Sequence, residues 1–152
     1  MEPPEDLRIA LDAILRSSAL PATLGARLVA WAPGTARVDA TASAEHANLG
    51  GTAHGGFVTS LADAAFEVAC NSHGRIAVAL SLAGTFTAPA PVGVLLVAQA
   101  VEVSRSRGTA SYRVEVTAGG GHVLAWYQAV AYRTGRWHLG EDAWPAAWRE
   151  AH

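Results

Sequence analysis

Residues 55–71, GGFVTSLADAAFEVACN, constrain the fold more than any other feature, because their apolar side chains leave almost no polar face. A helix that is apolar nearly all round has to be buried, so the rest of the chain must wrap it. Asn71-Ser72-His73-Gly74 supplies the stop, with glycine as the residue that leaves a helix most easily. At 152 residues the chain forms a single domain, 1–152, large enough for a real core. With 51% hydrophobic and 16% charged residues it is not a disordered chain. A formal net charge of −2, no lysine and no basic run leave no electrostatic case for nucleic acid. The single Cys70 excludes an internal disulfide and reads as a small core residue in a reducing compartment. The acidic opening Met1-Glu2-Pro3-Pro4-Glu5-Asp6 lacks the pattern of a signal peptide, and no apolar stretch is long enough to cross a bilayer. The expectation is a cytoplasmic protein without a membrane partner.

The wrapping elements are legible on both sides of the helix. Leu7, Leu11, Ile14 and Leu15 recur at helical spacing and predict an amphipathic helix over 5–17. Residues 24–32 and 35–42 read as a hairpin turning at Pro33-Gly34. The glycine-rich 43–53 is a loop that delivers the chain to the central helix. Stretches 76–87, 92–104, 109–117 and 123–133 are rich in Val, Ala, Thr and Tyr and read as an antiparallel meander. One buried helix with about six strands is an α+β layer packing, with the sheet curled round the helix. The tail 135–152, with Trp137, Trp144 and Trp148, is expected on the outside of the sheet or against another subunit.

Two features inside the wrapped helix carry chemistry. Gly55-Gly56 lets an acyl group approach the main chain, and the first N–H groups of a helix have no internal partner and sit at the positive end of its dipole. Asp63 is a carboxylate among Ala, Leu, Val and Phe, a costly position unless the charge is paired or used. The two are eight residues apart, about 12 Å along one helix, so one chain cannot bring both to one carbonyl carbon. Acting together, they require Gly55 of one subunit to meet Asp63 of another by antiparallel helix packing across a two-fold axis. Glu67, one turn on, reads as pocket-lining or structural, and His54 as a residue that orders the loop. No HExxH spacing, GxSxG elbow or GxGxxG turn is present, so the residues give no metal site, serine triad or dinucleotide site.

The stretch Asn48-Leu-Gly-Gly-Thr-Ala-His54-Gly55-Gly56, followed by Ser60-Leu61-Ala62-Asp63-Ala64-Ala65-Phe66 and Ala69-Cys70-Asn71-Ser72, resembles the hotdog-fold acyl-CoA thioesterases of the phenylacetic-acid-degradation type. The motifs cover about residues 45–74, and the strand pattern extends the resemblance over 20–135. It implies hydrolysis of aryl- or hydroxyarylacetyl-CoA esters without metal or organic cofactor, in homodimers that associate into a homotetramer. By the same resemblance the Gly55 amide polarises the thioester carbonyl, with help from Gly56, Asp63 of the opposite subunit is the catalytic carboxylate, and Asn48 orients the carbonyl or water. His54, Phe57, Thr59, Leu61 and Phe66 are candidates for the substrate pocket or the dimer seam. Arg105 and Arg107, in the turn 104–108, are candidates for the CoA phosphates. The chain departs from the family where a hydroxyl residue, an acidic residue and an Arg-Pro follow the helix: it has Ala83, Thr85 and Ala88-Pro89. Two rivals are a hotdog enoyl-CoA hydratase, which needs an Asp–His pair although no His follows Asp63 within two turns, and a non-catalytic acyl-CoA sensor using the same glycines.

Overall fold

The computed structural model describes residues 2–152. Helices α1 (Glu5–Leu15) and α2 (Ala19–Thr23) lead into strands β1 (Arg27–Ala32) and β2 (Thr35–Thr41). The long helix α3 (Gly55–Asn71) is followed by β3 (Arg75–Phe86), β4 (Leu95–Arg105), β5 (Thr109–Ala118) and β6 (His122–Trp137), and α4 (Ala146–Ala151) closes the chain. The central helix falls on the residues its composition predicts. The first helix stops at Leu15, two residues short of expectation, and 19–23 form a separate short helix because Pro21 is tolerated in a first turn but not inside a longer helix.

All six strands form one antiparallel sheet in the order β1-β2-β4-β5-β6-β3. The expected meander therefore holds only for β4, β5 and β6. β3 lies on the far edge beside β6, while β2 takes the free side of β4. The reason is the connection: residues 87–94 contain Pro89 and Pro91, which suit a crossing rather than a tight hairpin. That crossing is pinned under the start of α3, where the Ala53 N–H donates to the Ala90 carbonyl at 2.8 Å and the Gly93 N–H to the Ala42 carbonyl at 2.9 Å. β6 runs four residues beyond its expected end because it must pair with β3 as far as Arg75, opposite Trp137.

The sheet curls round α3, giving the hotdog architecture. Its inner face is lined by small residues: Ala36, Ala40, Ala98, Ala100, Ala110, Ala125, Ala129 and Ala131 are all buried. They meet Ala62, Ala65 and Ala69 of the helix, also buried, so sheet and helix approach closely on several sides. The hairpin turn is docked to the far end of the helix, where the Gly34 N–H donates to Ser72 Oγ at 2.7 Å. α1 lies on β1, with Leu11 fully buried and the Trp31 indole N–H donating to Asp12 Oδ1 at 2.7 Å.

The tail packs over the end of α3 in its own chain instead of on the outside of the sheet. Trp137, Trp144 and Trp148 are buried in series, with ring centroids 5.7 and 5.6 Å apart, over the C-terminal end of α3. The Trp148 indole donates to the His73 carbonyl at 2.9 Å. Gly74 is required twice over: its φ is 84°, and a Cβ there would lie within 2.8 Å of the Trp144 ring.

Candidate active site

α3 starts from a loop that its own side chains tie down. Asn48 Oδ1 accepts from the N–H groups of Gly50 (2.8 Å) and Thr52 (3.2 Å), and its Nδ2 donates to Thr52 Oγ1 at 2.9 Å. Both ends of this amide are thus engaged in shaping the loop. His54 is the helix N-cap: its Nδ1 accepts from the Gly56 N–H at 2.8 Å, and its carbonyl accepts from Phe57 and Val58. This is the loop-ordering role expected of His54. It also corrects the expectation for Gly56, whose amide is already occupied.

Among the described residues no acceptor meets the Gly55 N–H, which leaves it as the open donor at the positive end of α3. The absence of a side chain matters here, since a Cβ on Gly55 would stand 3.0 Å from the Phe86 ring. Gly55, Asn48, Val58, Phe86, Pro89 and Leu124 border a cleft of about 450 Å³ at this end of the helix.

Asp63 lies about two turns further on, half-buried, and no hydrogen bond reaches its carboxylate among the described residues. Burial pushes its pKa above the ordinary carboxylate value. It borders a second cleft, of about 310 Å³, with Ser18, Pro21, Ser60, Phe66 and Val78. The two clefts share no residue. Within one chain, then, Gly55 and Asn48 are brought together and Asp63 is held apart, as their spacing requires.

Other candidates belong to the core. Phe57 and Leu61 are buried, with Phe57 4.5 Å from the His46 ring, so neither is free to line an acyl pocket. Phe66 floors the Asp63 cleft but is itself packed on Tyr112 at 5.3 Å. The Thr59 hydroxyl is engaged with the Tyr127 hydroxyl at 3.0 Å. A helix wrapped this completely spends most of its side chains on packing. Glu67 is exposed at the edge of the Asp63 cleft, and the Cys70 thiol, buried and next to Glu67, is pushed up to about 12, far from a nucleophilic thiolate.

Arg105 and Arg107 are not beside Gly55 of their own chain. Arg105 donates to Glu102 Oε1 at 3.1 Å and to the Ala151 carbonyl at 3.1 Å, and exposed Arg107 sits in the β4–β5 turn, at the opposite end of a 17-residue helix. That helix is about 25 Å long.

Sequence reasoning missed Phe86 and Tyr127, which cover Gly55 and Thr59. The signal was Gly84, a glycine within a strand, which marks close approach of another chain segment. A Cβ there would lie 2.7 Å from the Trp126 carbonyl oxygen and nearer still to the Tyr127 ring.

The wrapped helix thus presents an open amide at its start and a bare carboxylate in its middle. The sequence profile of the thioesterase superfamily matches residues 50–125, and the chain belongs to that family. It is 32% identical over 129 residues to the acyl-coenzyme A thioesterase PaaI of Escherichia coli, covering 85% of this chain and 92% of that one. The solved structure of E. coli PaaI superimposes with a TM-score of 0.80 at 30% identity, over 85% of this chain and 96% of that chain. A mutant of the phenylacetic acid degradation protein PaaI of Thermus thermophilus gives a TM-score of 0.72 at 43% identity, over 75% and 97%. The chain is a thioester hydrolase of the acyl-CoA thioesterase family. No helix among the described residues is long and apolar enough to cross a membrane.

Proposed function

We propose that this protein hydrolyses acyl-CoA thioesters, aryl- and hydroxyarylacetyl-CoA among them, in the cytoplasm, at sites completed by two subunits. The observation that carries the reading is that the Gly55 amide and the Asp63 carboxylate are both unspent and border clefts with no common residue. A second copy supplies the missing half of each. The edge strand β3 favours such a copy: it is 12 residues long, pairs only with β6, and exposes Val78, Leu80 and Phe86. An open edge of that length is an aggregation hazard unless another strand takes it. Pairing two β3 strands about a two-fold axis sets the two α3 helices antiparallel, so that Gly55 of each faces Asp63 of the other. Two such dimers stacked form the homotetramer that the resemblance implies.

In this site the thioester carbonyl oxygen points at the Gly55 N–H, which stabilises the oxyanion with help from the helix dipole. Asp63 either attacks the carbonyl carbon, forming an anhydride that water opens, or takes the proton of an attacking water. In both routes the C–S bond breaks and CoA leaves as the thiolate, which then takes up a proton. Asn48 serves by holding the loop that presents Gly55, and His54 by capping the helix.

Thiol release from aryl, hydroxyaryl and straight-chain CoA esters, with Asp63→Asn alongside, tests the proposal. Turnover in the parent that falls by about 10²–10⁴ in the variant, with the oligomer intact, is expected. Turnover unchanged in Asp63→Asn removes Asp63 from the reaction. Binding of CoA esters without any hydrolysis makes the protein a sensor.

A further inference from the structure

A third cleft, about 790 Å³, is larger than either of the two that hold Gly55 and Asp63. It lies at the C-terminal end of α3, and five of the chain's eleven arginines line it: Arg75, Arg105, Arg107, Arg133 and Arg149. They arrive from four places in the chain: the start of β3, the end of β4 with its turn, the end of β6, and α4. Three carboxylates share the cleft. Glu102 is spent on Arg105 (3.1 Å) and His73 (2.7 Å), and Glu141 on Arg149 (2.9 Å), leaving Glu150.

Arg75 and Arg107 have no carboxylate side-chain partner among the described residues, whereas Arg133 reaches the terminal main-chain oxygen of His152. Arg133 is buried, donates to the main-chain oxygens of Ser106 and of the terminal His152, and is pushed down in pKa by burial and by the nearby charges of Arg105 and Arg75. Arg75 lies over the Trp137 ring at 5.4 Å, and its Nε is buried without a partner, as is that of Arg149. Buried guanidinium donors are normally satisfied. Crowding like charges round a cavity while leaving such donors open is costly unless an anion enters.

We propose that this cleft binds a phosphorylated anion, held by Arg75 and Arg107 with Arg133 behind them. Guanidinium forks match phosphate oxygens in geometry and keep their charge at all working pH values. The ligand is the nucleotide end of a CoA molecule or a separate phosphorylated small molecule; the chemistry is the same, and the sources are separable by experiment.

Calorimetric titration with inorganic pyrophosphate tests the site without relying on turnover, so failure of the thioesterase reading leaves this result interpretable. Saturable binding is expected, weakened about tenfold or more in the double variant Arg75→Gln, Arg107→Gln and falling steeply with added salt. Arg107 is exposed, so Arg107→Gln alone keeps the test available if the double variant does not fold. CoA that displaces pyrophosphate, together with a raised KM for CoA esters in the variants, identifies the CoA nucleotide as the ligand. Pyrophosphate that CoA does not displace identifies a separate phosphorylated ligand. No saturable binding, or binding unchanged in the variants, overturns the proposal.

Discussion

The two ends of α3 are built to opposite plans. At its C-terminal end the helix terminus itself is closed by its own chain: Glu102 receives His73 at 2.7 Å, Tyr112 at 2.9 Å and Arg105 at 3.1 Å, and three tryptophans seal the helix, while the open Nε donors of Arg75 and Arg149 lie beyond it in the arginine-lined cleft. At its N-terminal end the cap is complete but one amide is left open beside a cleft, and a lone half-buried carboxylate follows eight residues later. The finished end holds the fold together, and the unfinished end is where chemistry can enter. A helix can serve both purposes because its two termini are far apart and packing at one does not restrict the other.

Trp148→Ala should give the largest effect and fall on the finished end alone. Removing a buried aromatic costs about 3–5 kcal/mol, seen as a lower urea midpoint, while the protein that remains folded keeps its kcat. An equal loss of kcat would mean that the two ends are coupled. Gly55→Pro is the counterpart at the open end. Proline suits the first helical position and the extended His54 before it, so the fold should persist. Its missing N–H should lower kcat about 10²–10³-fold. Mixing this variant with Asp63→Asn should restore activity in heterodimers that carry one intact site, and failure to do so in well-formed heterodimers would sink the two-subunit arrangement.

The ends should also differ in their response to pH. Burial pushes Glu102 up, but the hydrogen bond and charge of His73, the hydrogen bond from Tyr112 and the charge of Arg105 outweigh this and bring it down to about 2. A lowered carboxylate contributes stability that is present above its unfolded value, about 4.5, and lost as pH falls towards 2. Burial also lowers His73, which adds a loss of stability in the same direction on acidification. Urea midpoints should therefore drop on acidification, and less so in Glu102→Gln. Asp63 has the opposite sign: its raised pKa means that stability linked to it is present at low pH and lost as pH rises through the folded value. Asp63→Asn should thus melt slightly higher than the parent near neutrality, while parental turnover should fall as pH drops through the raised Asp63 value. The smallest effect is expected for His54→Ala, a lost N-cap of about 1 kcal/mol, measured by thermal melting.

Local pattern was enough to place α3, both strands of the first hairpin and the cores of β3 to β6, because each carries its own periodicity and its own stop. Asp63 and Gly55 stood out because each is unlike its neighbours in a way that costs free energy unless it is used, whereas Asn48 was marked only by the family resemblance. The position of β3 was not legible, since nothing in residues 75–86 says whether they pair with β4 or β6; the crossing at Pro89–Pro91 decides it. Nor was the fate of Phe57, Leu61 and Phe66, which face the core only because the sheet closes on every side of the helix. Trp144 and Trp148 read as packing on the outside of the sheet or against another subunit, yet stack over Gly74 once β6 brings Trp137 to the end of the helix.

The sequence by itself determined that one helix is buried, that strands enclose it, and that an open amide and a carboxylate lie too far apart on it to act within one chain. Those properties depend on residue type and spacing along a single element. Tertiary structure alone decided which amide stays open, since His54 takes that of Gly56, and which strand edge is left unpaired. It also gathered five arginines, scattered between positions 75 and 149, round one cleft. Such features arise from side chains distant in sequence competing for the same space and the same hydrogen-bond partners, and no local pattern encodes the outcome of that competition.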